Sequence, residues 1–147
     1  DKKQKNMLRS IIAVIAGLIA GSIVIYLIEL AGHALYPPPE LFDPMDREAA
    51  KEMMDAAPIG SLLMVILAYL VGSFAGGAVA ALVPAKSRLS HSLATGLILM
   101  VFGIINLVLL PHPVWFWVLS LIVFVPFAFL GGQAVVRRSL RDPDKSS

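Results

Sequence analysis

The chain has 147 residues, 58% of them hydrophobic and 15% charged, with a mean hydropathy of +0.81, which is more apolar than a water-soluble domain of this length tolerates. With no cysteine it has no disulfide framework, no thiolate nucleophile and no Cys-ligated zinc or iron–sulfur centre. The formal net charge of +2 leaves no nucleic-acid footprint, and the partner to expect is the lipid bilayer.

About 20 helical residues cross the roughly 30 Å of bilayer hydrocarbon, and four runs are long and apolar enough: 11–36, 59–83, 93–110 and 114–136. The expected architecture is all-α, a single membrane domain over 1–147 in which four transmembrane helices form two hairpins. A loop at 37–58 and a tail at 137–147 complete it. The first run is longer than the apolar region of a cleaved leader and no A-x-A site follows, so it is expected to remain as a span.

That first run carries the most informative residue, Glu29, an acid inside an otherwise uncharged stretch. An ionisable side chain in hydrocarbon is costly unless it is paired, hydrogen-bonded or facing water, so by default it marks a functional site. Ser22, Glu29 and Tyr36 recur at a spacing of seven, which drifts only about 20° per step around a helix, and His33 lies about 40° from Glu29. One stripe therefore presents a hydroxyl, a carboxylate, an imidazole and a phenol. Gly17 and Gly21 form a GxxxG on the same run, a spacing that lets helix backbones approach closely in lipid.

In the loop that follows, Pro37-Pro38-Pro39 stops the first span, since prolines remove donors and extend the backbone. Asp43 before Pro44 reads as the N-cap of a short helix. Met45, Ala49, Met53 and Ala56, with Ala50 and Met54 beside them, recur at helical spacing against a charged face. The expectation is a short amphipathic helix on the outer surface or over the bundle mouth.

The second span holds another GxxxG at Gly72 and Gly76, and Gly77 continues a ridge of small residues with Ser73 and Ala81. Such ridges mark packing, within the chain or in a homo-oligomer. His91 opens the third span as an interfacial or capping residue. Near the other end Asn106 precedes Pro111 by five positions, and His112 lies in the Pro-His-Pro turn. By depth, Glu29 matches Asn106, and His33 or Tyr36 matches His112. Trp115 and Trp117 open the fourth span as an interfacial belt, and Pro126 should kink it, freeing a carbonyl near Ile122.

Charge gives the direction. Lys2, Lys3, Lys5 and Arg9 precede the first span, Lys86 and Arg88 join the second to the third, and Arg137, Arg138, Arg141 and Lys145 follow the fourth. Arg47 and Lys51 alone lie in the first loop, outnumbered there by Glu40, Asp43, Asp46, Glu48, Glu52 and Asp55. The positive-inside rule then puts both termini in the cytoplasm and the acidic loop outside. The two Phe-x-Gly-Gly runs, at Phe74 and Phe129, resemble each other. Either an ancient hairpin duplication or a common packing demand accounts for them.

Three readings of the polar stripe follow. In one it is structural, with Glu29 protonated or hydrogen-bonded to Asn106, Ser22 or a tyrosine, in a noncatalytic packing subunit, a homo-oligomer or a larger membrane complex. In the second, Glu29, His33, Tyr36, Asn106, His112 and Ser22 form a site for a small ligand or a proton, reached from outside, in a transporter-like or accessory role. In the third, Glu29 and His33 at i and i+4 join His112 to hold a divalent metal, zinc or iron, with an open position for hydrolysis. The fragment ExxxH lacks the second helical His of a metalloprotease motif. No nucleophile elbow, phosphate loop or dinucleotide fingerprint is present.

The segment GHALYPPPELFDPMD at 32–46 and LPHPVWFW at 110–117 resemble a family of small four-span bacterial membrane proteins of unassigned activity. The resemblance covers most of the chain after Met7 and implies an architecture in the bacterial cytoplasmic (inner) membrane, with no site residues. The four-span glutathione-transferase-like membrane family is similar in length, but its polar, Arg-containing second span is missing here.

Overall fold

A computed structural model describes residues 1–38, 45–83 and 87–141. Within them the chain is all-helical: α1 (Lys2–Leu35), α2 (Arg47–Ala56), α3 (Ile59–Leu82), α4 (Arg88–Leu109) and α5 (Val114–Arg141). Four of these, α1, α3, α4 and α5, are long and apolar enough to cross a membrane.

The helices overrun the apolar runs at one end of the bundle. α1 begins at Lys2, well before the expected start at Ile11, so Lys2, Lys3, Lys5 and Arg9 ride on its first turns. α4 starts at Arg88 instead of Leu93. α5 continues to Arg141, so Arg137, Arg138 and Arg141 belong to its last turns and not to a loose tail; residues 142–147 lie outside the described part. Hydropathy sees only the part of a helix that suits hydrocarbon, whereas backbone hydrogen bonding continues into the polar flank. α3 ends within a residue of its expected limit.

The expected N-cap at Asp43 and Pro44 lies outside the described residues. The described helix α2 is instead capped by Asp46, whose carboxylate accepts from the backbone N–H groups of Glu48 and Ala49 at 3.0 and 3.2 Å. Its buried residues are Ala50 and Met54, one turn apart. Met45 precedes the helix and is 88% exposed.

α3 is the central helix, packed on α1, α4 and α5, while α1 meets α3 and α4. Glycine sets these contacts. A Cβ on Gly17 would lie 2.6 Å from the carbonyl oxygen of Gly76, and one on Gly76 would lie 2.8 Å from that of Gly17. Gly21 and Gly72 face each other in the same way, each within 2.9 Å of the other's carbonyl oxygen. The two GxxxG motifs therefore fit into one another inside a single chain. Gly17 also approaches Thr95 of α4.

The Gly-Gly runs divide their glycines between neighbours. Gly77 lies against the backbone of Ala128 on α5, and Gly131 lies against the backbone of Phe74 on α3. Gly132 turns to Ser92 on α4, whose hydroxyl donates to the Gly77 carbonyl at 2.8 Å. Gly77, Ser92 and Gly132 thus tie three helices at one level. The contacts of the two runs are not equivalent position by position, as an exact two-fold exchange of hairpins would require.

The core above this level is formed by Leu62, Tyr69, Leu99, Leu107, Phe116, Val123 and Phe124, with Met54 of α2 completing it. Gly103 makes room for the Phe124 ring, which packs at a tilt of 33° against Tyr69, ring centres 4.8 Å apart. Pro126 lies inside α5 without ending it. At the start of α4, the His91 ring Nδ1 donates to the Ser87 carbonyl at 2.7 Å, across the first turn.

Candidate functional site

α1 ends, α3 starts, α4 ends and α5 starts at the same end of the bundle, where α2 also lies. There a cavity of about 560 Å³ opens, lined by α1, α2, α3, α4 and the turn into α5. Glu29, His33 and Tyr36 reach it from α1 and its C-cap, Asn106 from α4, and His112 from the turn. Met53 and Met54 of α2, with Leu62, Met64 and Val65 of α3, give it apolar walls.

Five of the six residues of the polar set thus share one cavity, although they come from three separate segments. Ser22 does not join them: it is exposed on α1 and outside the lining. Two turns separate it from Glu29, and it lies at the level where Gly21 fits closely on Gly72.

Glu29 is half-buried and lies within electrostatic range of both His33 and Tyr69. Among the described residues its carboxylate accepts no hydrogen bond and forms no ion pair. The pairing by depth with Asn106 is therefore not made as a bond. Asn106 Nδ2 donates instead to the Tyr69 hydroxyl at 2.7 Å. Tyr69 is the residue that sequence reasoning missed. It is 3% exposed and sits behind the cavity wall, and its signal was available: it is the one tyrosine of the second span, at the depth of Asn106.

His112 is half-buried at the rim. Its Nδ1 donates to the Leu110 carbonyl at 2.8 Å, and its ring stacks on Phe116 at 4.6 Å. Because a carbonyl only accepts, Nδ1 carries the proton and Nε2 of the neutral ring remains an acceptor. Burial holds this imidazole below its ordinary pKa, an effect that the Leu110 bond only partly opposes.

Tyr36 lies over Gly60 at the start of α3, where a Cβ would meet its hydroxyl. Gly32 brings α1 within 3.3 Å of the Met64 Cβ by the same measure. The methionines are unbranched and polarizable, so this wall adapts to what it touches.

The metal reading needs Glu29, His33 and His112 to converge. Among the described residues no three His, Asp or Glu side chains form a group that could hold a metal ion. The i, i+4 pair shares a face of α1, and the Nδ1 of His112 is taken up by the Leu110 carbonyl.

Comparison with known proteins gives no match: no family model, no curated protein and no solved structure. The site is therefore read from its own chemistry.

Proposed function

We propose that this chain is a small polytopic protein of the bacterial cytoplasmic membrane whose cavity binds a small ligand or a proton, in a transporter-like or accessory role. The observation that carries this reading is the convergence of Glu29, His33, Tyr36, Asn106 and His112 on one cavity of about 560 Å³, a size and a mainly apolar lining typical of small-molecule sites. Three of these polar groups have capacity left over: Glu29 accepts no bond among the described residues, His112 keeps Nε2 as an acceptor, and Asn106 keeps its carbonyl oxygen.

Lys and Arg on α1, α4 and α5 gather at the end of the bundle opposite the cavity. By the positive-inside rule that end is cytoplasmic, and the cavity opens outward. In this reading α2 is an amphipathic lid that sets Ala50 and Met54 on the bundle and its charged face toward water.

The absence of cysteine makes single replacements direct reporters. On intact cells a membrane-impermeant maleimide is expected to label His33→Cys and Glu48→Cys, and to spare Leu140→Cys until the membrane is opened. Labelling of Leu140→Cys alone would reverse the orientation. A hydrophobic carbodiimide, which modifies carboxyl groups that take up a proton in an apolar setting, is expected to modify Glu29. A Glu29 that stays unmodified would overturn the site.

A further inference from the structure

The helix directions around the cavity give it a sign. α1 ends at Leu35, α2 at Ala56 and α4 at Leu109, and all three present their last turns or caps to the lining: Gly32, His33 and Tyr36 from α1, Met53, Met54 and Ala57 from α2, Asn106 and Leu110 from α4. A helix C-terminus carries the equivalent of roughly half a negative charge, which favours cations. α3 offers its N-terminus, through Pro58 and Ser61, but the Ser61 hydroxyl is turned back on the Pro58 carbonyl at 2.7 Å, and α5 reaches the lining through His112 of its preceding turn.

Glu29, when ionised, adds a carboxylate charge to these three ends, and among the described residues no Lys or Arg lines the cavity. The two bases of this loop, Arg47 and Lys51, line a separate groove beside Trp117 and the end of α4. Glu29 and the three helix ends favour a positive charge inside, while the walls are mainly apolar and include three methionines, Met53, Met54 and Met64. Among the described residues no group of three or more His, Asp or Glu side chains offers a metal ion a ligand set there. An organic cation with an apolar body satisfies both features, its charge against Glu29 and the helix ends, its body against adaptable thioethers and leucines.

We infer that the cavity is a binding site for lipophilic organic cations, with Glu29 as the counter-charge. This deepens the ligand-site reading above and rests on it. The test uses purified protein in detergent and three probes of similar shape: tetraphenylphosphonium, tetraphenylborate and the uncharged triphenylmethanol.

Tetraphenylphosphonium is expected to bind the wild type, about tenfold more weakly in Glu29→Gln, as for the loss of one charge-assisted contact in a desolvated site. Triphenylmethanol should bind both proteins equally, and tetraphenylborate should not compete. Met53→Trp, which keeps Glu29 and fills the cavity from α2, should weaken both the cation and the neutral probe, which guards against a Glu29→Gln protein that fails to fold. Equal affinity for the two ions, or a Glu29→Gln affinity unchanged for the cation, would overturn the assignment. Binding of triphenylmethanol with none of tetraphenylphosphonium would overturn the cation class and leave the ligand site standing. Binding of no probe, together with a Glu29 that resists the carbodiimide, would remove both.

Discussion

Asn106 on α4 donates a 2.7 Å hydrogen bond to the hydroxyl of Tyr69 on α3, joining two helices across the inner wall of the cavity. With Tyr69 so deeply buried, the bond holds a phenol in hydrocarbon and leaves the carboxylate of Glu29 free of that task. Removing one partner strands the other.

Asn106→Leu should therefore lower stability in detergent by about 1–3 kcal/mol, because the Tyr69 hydroxyl loses its partner in a dry wall. The double variant Asn106→Leu with Tyr69→Phe should recover part of that loss, with a coupling of about 1 kcal/mol in a double-mutant cycle. Additive losses would show that the pair is not coupled.

Gly77→Ala and Gly60→Ala separate a backbone contact from a side-chain contact. A Cβ on Gly77 meets the backbone of Ala128, whereas one on Gly60 meets the hydroxyl end of Tyr36. The first forces α3 and α5 apart and should cost about 1–3 kcal/mol. The second only swings an exposed tyrosine and should cost less than about 0.5 kcal/mol. Thermal unfolding of both proteins in one detergent checks the order.

Ser73 and Ser120 are fully buried, with hydroxyls that find no hydrogen-bond partner among the described residues. Ser73→Ala and Ser120→Ala should each raise stability by about 1 kcal/mol, since each removes a desolvated group that gains nothing in return. Ser92→Ala should do the opposite by about 1 kcal/mol, because its hydroxyl joins α4 to the Gly77 carbonyl. A loss in Ser73→Ala or Ser120→Ala equal to that in Ser92→Ala would contradict the assignment of these hydroxyls as unpartnered.

The His112 imidazole is held below its ordinary pKa of 6.5 by burial. On acidification the unfolded chain takes up its proton first, at about pH 6.5. The contribution of neutral His112 is thus present above that pH and is lost as pH falls through the lowered folded value. The slope of thermal midpoint against pH below about pH 6.5 should be shallower in His112→Asn, which retains an N–H donor for the Leu110 carbonyl and does not titrate. An identical slope in both proteins would assign the acid sensitivity elsewhere.

The polar set was legible because a membrane span leaves so few places for it. Glu29, His33 and Tyr36 follow one helical face, and a depth argument brings Asn106 and His112 to the same level. The partner of Asn106 was not legible: depth matches it to Glu29 and to Tyr69 alike, and only the rotation of α3 about its axis chooses between them. The helix caps behaved similarly. Asp43 and Asp46 both precede helix-forming residues, and the carboxylate that reaches Glu48 and Ala49 is that of Asp46.

What the amino-acid order determined by itself is the number of long apolar helices, the clustering of basic residues at one end and the presence of a polar stripe with one carboxylate toward the other. Each is a statement about one segment and its solvent, because hydrocarbon selects length and polarity without reference to any other helix. What only the tertiary structure decided is which faces meet. It joined Gly17 and Gly21 to Gly76 and Gly72 within the chain, set the methionines of α2 into the cavity, and gathered the last turns of three helices around the cavity that Glu29 lines. In a bundle, helix pairing and rotation are settled by close backbone approach between residues far apart in sequence, and periodicity along a single helix carries no information about its neighbour.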